Sequence, residues 1–153
     1  MKKLLLIILA LFFLPALVVL SSPSKVYARS SQKVTFFPLN IYIDSSANDL
    51  AAYQFELYTG SSQVKIVGVE GGDSAAFKEP PYYDPAALAN NRIIIAAFNN
   101  GDNLPKGKTK VATIHLQAPT DYESAFELSL TLAATKGGQK IQAQISFEKG
   151  EQK

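Results

Sequence analysis

His115 is the only histidine in a chain that has no cysteine, so the supply of nucleophiles and strong metal ligands is small. Its neighbours Ile114 and Leu116 are typical of a β-strand. A catalytic histidine needs a nucleophile and an orienting carboxylate close by, and a metal-binding histidine usually needs further ligands. The sequence specifies neither set, so we predict that His115 is an ordinary sheet-face residue.

The aspartates are scattered along the chain, at Asp44, Asp49, Asp73, Asp84, Asp102 and Asp121. Glycoside hydrolysis needs two carboxyl groups facing each other across a cleft, which a small β-domain does not favour. Asp102 lies in an oxygen-rich run with Asn99, Asn100 and Asn103 that could bind calcium. Its spacing is not that of an EF-hand, and Asn-Gly-Asp is first of all a turn signal. We predict no enzymatic activity, no cofactor and no metal site.

Two adjacent tyrosines, Tyr82 and Tyr83, are the surface candidates that stand out most. They lie between Pro80-Pro81 and Asp84-Pro85, and prolines reduce the entropy that is lost when a loop becomes ordered. Tyrosine is a common anchor in protein interfaces, and its ring can also stack on a sugar. The alternative is that the loop folds back and buries both rings over one end of the domain. The sequence leaves both possibilities open.

The elements that must position these residues are β-strands. Apolar and polar residues alternate over 37–43, 53–58, 111–116, 126–132 and 141–147, the period of half-buried strands. The run Ile93-Ile94-Ile95 is typical of a central strand that is buried on both faces. Lys136-Gly137-Gly138-Gln139 predicts a tight hairpin between the last two strands. We therefore predict an all-β, antiparallel jelly-roll β-sandwich of about eight to nine strands.

The first 28 residues have the order of an export signal. Met1-Lys2-Lys3 is basic, residues 4–20 are apolar, and Val26 and Ala28 are small residues at the −3 and −1 positions of a cleavage site. We predict a signal helix over 1–28, cleavage between Ala28 and Arg29, a disordered start over 29–33 and the domain over 34–149. The mature protein would then be secreted or held at the surface of the cell envelope. The alternative is an uncleaved anchor, in which only residues 4–20 would meet the membrane.

Composition limits the kinds of partner. Of 15 basic residues, Lys2, Lys3 and Lys25 lie in the predicted signal, so 12 basic residues face 13 acidic ones in the rest of the chain. A near-neutral surface without basic clusters argues against nucleic acid as a partner. An exported domain without cysteine cannot be a disulfide scaffold or a thiol enzyme.

Three stretches together resemble cohesin domains, which are secreted β-sandwich modules that bind dockerin-bearing proteins. They are residues 50–58 with 64–72, residues 91–99, and residues 107–116. The resemblance implies a nine-stranded jelly roll used for non-covalent binding. The family's partner-contacting positions on its sheet face would fall near Ala52 and Gln54.

These observations together predict an exported, non-catalytic protein-binding module. We expect its binding residues to be Gln54, Glu56, Tyr82, Tyr83 and Arg92. The alternative is a carbohydrate-binding β-sandwich, against which the absence of tryptophan counts. A structural protein of the cell envelope is a more distant alternative.

Overall fold

The chain is described from a computed structural model, which covers residues 33–123 and 125–151. The predicted signal helix, the Ala28–Arg29 cleavage site and residues 29–32 lie outside these described residues. In the part of the chain that the structure describes, no helix is long and apolar enough to cross a membrane.

The described residues contain eight β-strands and two short 3₁₀ helices. The strands are β1 (Val34–Asp44), β2 (Ala52–Tyr58), β3 (Lys65–Gly71), β4 (Tyr82–Tyr83), β5 (Arg92–Phe98), β6 (Lys108–Pro119), β7 (Glu127–Ala134) and β8 (Gln144–Lys149). The 3₁₀ helices, Ala75–Phe77 and Pro85–Ala87, both lie in the long connection between β3 and β5. All strand pairs are antiparallel.

The strands form two four-stranded sheets that pack as a β-sandwich. We name them after a central strand: the β1 sheet has the order β3-β6-β1-β8, and the β2 sheet has the order β4-β5-β2-β7. Alternate residues of each central strand point inward and are buried, including Leu39 and Ile41 of β1 and Phe55 and Leu57 of β2. Since both sheets contribute to one buried cluster, the apolar area removed from water holds them together. The predicted all-β, antiparallel sandwich is therefore confirmed.

The isoleucine run of β5 corrects one prediction. Ile93 and Ile95 are buried, but Ile94 points to the other face of the β2 sheet and is 48% exposed. A continuous apolar strand is typical of a sheet that is covered on both faces. Among the described residues no layer covers the outer face of this sheet, so the prediction that β5 is buried on both sides is wrong.

A β-bulge in β7 changes the expected alternation of that strand. Leu130 pairs with Phe55 and points inward, whereas Leu132 pairs with Gln54, and the register shifts between these two pairs. The extra residue, Thr131, moves Leu132 from the core side of the strand to its outer side. Ala133 then lies opposite Tyr53 and is buried.

The predicted last hairpin is a tight turn between strands of different sheets. Gly138 has a φ of 76°, and the amide of Thr135 donates to the carbonyl of Gln139 over 2.9 Å. Only Ala134 and Lys140 pair across this turn, after which residues 141–143 cross from the β2 sheet to the β1 sheet. The prediction of a turn at 136–139 is therefore confirmed, but the prediction that β7 and β8 form a hairpin is wrong, because the two strands lie in different sheets.

Candidate binding surface on the β2 sheet

The outer face of the β2 sheet brings together residues from all four of its strands. Gln54 of β2 lies between Ala96 of β5 and Leu132 of β7, and Ala96 pairs in turn with Tyr82 of β4. Antiparallel pairing places directly opposite side chains within about 4.5–5.5 Å of one another at Cβ. Residues far apart in sequence therefore form one continuous row across the sheet.

The neighbouring rows extend this surface in both directions along the strands. Glu56 lies between Ile94 and Ser129, and Ala52 lies between Phe98 and Ala134.

Four large apolar side chains are exposed on this one face. They are Tyr82 (69% exposed), Phe98 (63%), Ile94 (48%) and Leu132 (38%), and we call them the apolar patch. Eight large apolar residues are exposed among the described residues, so half of them lie on one face of one sheet. Single exposed apolar residues are normal in soluble proteins, but four on one sheet face, two of them with their rings in contact, are typical of an interaction surface.

Tyr82 and Phe98 form a stacked aromatic pair within the apolar patch. Their ring centroids are 6.1 Å apart and the ring planes differ by only 10°. The pairing of β4 with β5 holds the tyrosine beside the end of β5, so both rings are oriented before any partner arrives. Rigid aromatic side chains lose little entropy on binding, which suits them as anchors.

Arg92 and Glu56 form an ion pair at the side of the apolar patch. Arg92 Nη2 donates to Glu56 Oε2 over 3.0 Å, and Arg92 Nε donates to Oε1. The hydrogen bond from Arg92 holds the pKa of the Glu56 carboxyl below its usual value, and Glu56 raises the pKa of Arg92. Both groups therefore remain charged near neutral pH and present a locally balanced polar border.

The structure divides the five residues that were predicted to bind. Gln54, Glu56, Tyr82 and Arg92 come together on the outer face of the β2 sheet. Tyr83 points the opposite way because side chains alternate along a strand, and it packs against the core. Tyr82 is therefore accessible to a partner, whereas Tyr83 is partly buried within the β2 sheet.

Sequence reasoning missed Ile94, Phe98 and Leu132. The positions of Ile94 and Phe98 could have been predicted from the sequence. Alternate residues of a strand share one face, so both lie on the same side of β5 as Arg92. Treating the isoleucine run as wholly buried concealed that side. Leu132 had no such signal, because a bulge determines where it points.

The other chemistry-bearing residues lie elsewhere. His115 is on the outer face of the β1 sheet, where its Nε2 atom lies 3.1 Å from Glu70 Oε1. Asp102 accepts a hydrogen bond from Lys136 Nζ over 2.9 Å. Among the described residues, no three acidic or histidine side chains are arranged to hold a metal ion.

Comparison with known proteins identifies a similar fold. No protein-family model matches the sequence, and no curated protein matches it significantly. A solved structure, the non-cellulosomal cohesin from the hyperthermophilic archaeon Archaeoglobus fulgidus, matches with a TM-score of 0.54 and 13% sequence identity. The match covers 72% of this chain and 75% of the cohesin chain. The fold of this protein is therefore cohesin-like, as the resemblance implied.

Proposed function

We propose that this chain is an exported, non-catalytic module that binds another protein through the outer face of the β2 sheet. The observation that supports this most is the apolar patch, in which Tyr82, Phe98, Ile94 and Leu132 are exposed together. Burial of such side chains is the main favourable term in protein association. Aromatic residues that are surrounded by polar ones make up the usual centre of an interface.

The polar residues within and beside the patch supply specificity in this proposal. Gln54 can donate and accept hydrogen bonds through its amide. The carboxylate of Glu56 and the guanidinium of Arg92 already bind each other, so neither has to be left unpaired when a partner excludes water. A near-neutral border of this kind admits a partner without strong net charge of its own.

A dockerin-bearing protein is the partner class that we propose. The cohesin-like fold supports it, together with the resemblance of residues 50–58, 64–72, 91–99 and 107–116 to cohesins. We also propose jelly-roll connectivity as the finer description of the sandwich. Export rests on the order of the first 28 residues alone.

Binding of the purified protein to a dockerin-bearing protein tests this function. Titration calorimetry should give a saturable, one-to-one complex in buffer of moderate ionic strength. Sedimentation of the protein with insoluble cellulose, xylan and chitin tests the alternative, carbohydrate binding. The same assay is repeated with a variant in which Tyr82 and Tyr83 are both replaced by alanine. Sedimentation that this double substitution abolishes, without any binding of dockerin-bearing proteins, would favour a carbohydrate-binding module instead.

A further inference from the structure

A groove of about 440 Å³ crosses the outer face of the β1 sheet, on the side of the sandwich opposite the apolar patch. Its lining includes Phe36, Pro38 and Asn40 of β1, Glu70 of β3, and Thr113 and His115 of β6. The register explains how these residues meet. Pro38 pairs with His115, and Asn40 pairs with Thr113, which pairs in turn with Glu70. The groove lies within the size range of small-molecule sites.

One wall of the groove is apolar and open. Phe36 is 57% exposed, and Pro38 follows it on the same side of β1. Opposite His115 on β3 stands Gly68, whose missing side chain leaves the imidazole uncovered on that side: a Cβ there would lie 3.6 Å from His115 Cδ2. An aromatic ring and a partly exposed imidazole therefore flank the same depression.

The floor of the groove carries hydrogen-bonding groups of several kinds. Thr113 Oγ1 donates to Asn40 Oδ1 over 3.2 Å, which fixes the carboxamide. His115 Nε2 is covered by protein and, among the described residues, has no hydrogen bond of good geometry. Its nearest acidic neighbour is the carboxylate of Glu70, 3.1 Å away on a side chain that is 69% exposed. Because Glu70 is exposed, its carboxylate can accept a hydrogen bond from a ligand hydroxyl.

We propose that this groove binds a neutral saccharide. A sugar ring has a C–H face that packs on an aromatic ring and a rim of hydroxyls that both donate and accept hydrogen bonds. Phe36 supplies the apolar platform, the carboxamide of Asn40 and the carboxylate of Glu70 supply donors and acceptors, and the partly exposed imidazole of His115 lines the groove beside them. The site is independent of the protein-binding function proposed for the β2 sheet.

Charge and strand order favour this ligand over others. Among the described residues that line the groove, one side chain, Lys110, is basic, and Asp73 holds it at 2.8 Å. Glu70 and Glu151 are acidic, so an anionic ligand is not favoured. An extended peptide would have to add to the edge of a sheet. The groove is centred on β1 and β6, the two inner strands of the sheet, so its ligand must be recognised by side chains.

Titration of the purified protein with cellohexaose, xylohexaose, mannohexaose and chitohexaose tests the proposal. Using ¹H–¹⁵N NMR, we expect at least one of these oligosaccharides to shift the amides of β1 and β6 around Asn40 and His115. Phe36→Ala should weaken that binding at least tenfold, and Glu70→Gln should weaken it less. Tyr82→Ala, on the opposite sheet, should leave it unchanged.

Three results would overturn the proposal. The first is that none of the four sugars shifts any amide at millimolar concentrations. The second is that Phe36→Ala binds the sugar as the wild type does. The third is that the shifted amides lie around Tyr82 and Phe98 instead of Asn40 and His115. Phe36 is exposed, so its substitution should preserve the fold, and an unchanged denaturation midpoint verifies this.

Discussion

The hydroxyl of Tyr53 donates a hydrogen bond to the backbone carbonyl of Val111, 3.0 Å away across the interior of the sandwich. Tyr53 belongs to the β2 sheet and Val111 to the β1 sheet. Val111 is the extra residue of a bulge, since Ile41 pairs with Ala112 and Tyr42 pairs with Lys110. The tyrosine thus satisfies a carbonyl at the point where the strand ladder is interrupted. Burial also raises the pKa of Tyr53, so the hydroxyl keeps its proton.

Replacing Tyr53 by phenylalanine should lower the free energy of unfolding by about 1–3 kcal/mol. The ring and its edge-on contact with Phe77 remain, so the loss reports the unpaired carbonyl of Val111. Urea denaturation measures the change, and Tyr82→Phe, at an exposed position, is the matched control that should not shift the midpoint. Equal stability of Tyr53→Phe and the wild type would show that the hydrogen bond contributes nothing.

Gly72 should tolerate no side chain. A Cβ on it would lie 2.0 Å from the carbonyl oxygen of Lys110, while its amide donates to the carbonyl of Phe77 over 2.7 Å. Because the backbone would have to move, Gly72→Ala should lower the free energy of unfolding by about 1–3 kcal/mol. Gly137→Ala is the reference, since the nearest atom would be 4.0 Å away, and it should change stability by less than about 0.5 kcal/mol. Thermal unfolding of the two variants checks this difference, and equal midpoints would contradict it.

The Arg92–Glu56 pair should make a small, pH-dependent contribution to stability. The hydrogen bond from Arg92 lowers the pKa of Glu56 from its ordinary value of 4.5, so the folded state favours the carboxylate. The contribution is therefore present above that ordinary value and is lost as the pH falls through the lowered one. Glu56→Gln should be slightly less stable than the wild type near neutral pH, and the two denaturation midpoints should approach each other as the pH falls below 4.5. A constant difference between them across this range would assign the effect to something other than the charge.

Export predicts a defined start for the mature protein. Mass spectrometry of the protein recovered outside the cytoplasm should give a chain that begins at Arg29. Replacing Ala28 by a large residue should block processing and leave the protein bound to the membrane through residues 4–20. An exported protein that still begins at Met1 would instead support the uncleaved anchor.

The sequence predicted the fold well because alternation determines which face of a strand is buried. Leu39, Ile41 and Phe55 are inward as expected, and Gln54 and Glu56 are outward. The candidate surface was only partly predictable. The Tyr82–Phe98 stack depends on β4 pairing with β5, two strands that residues 84–91 separate. Leu132 reaches the surface through a bulge, for which local patterning gave no sign.

The affinity for a dockerin-bearing protein, compared between Phe98→Asp and Phe36→Asp, tests the central claim most directly. Both positions are exposed phenylalanines, 63% and 57% respectively, but they lie on opposite sheets. Burying an unpaired carboxylate within the apolar patch should weaken binding at least about a hundredfold for Phe98→Asp, while Phe36→Asp should bind as the wild type does. Wild-type affinity for Phe98→Asp, or loss of binding for Phe36→Asp alone, would contradict the assignment of the outer face of the β2 sheet as the protein-binding surface.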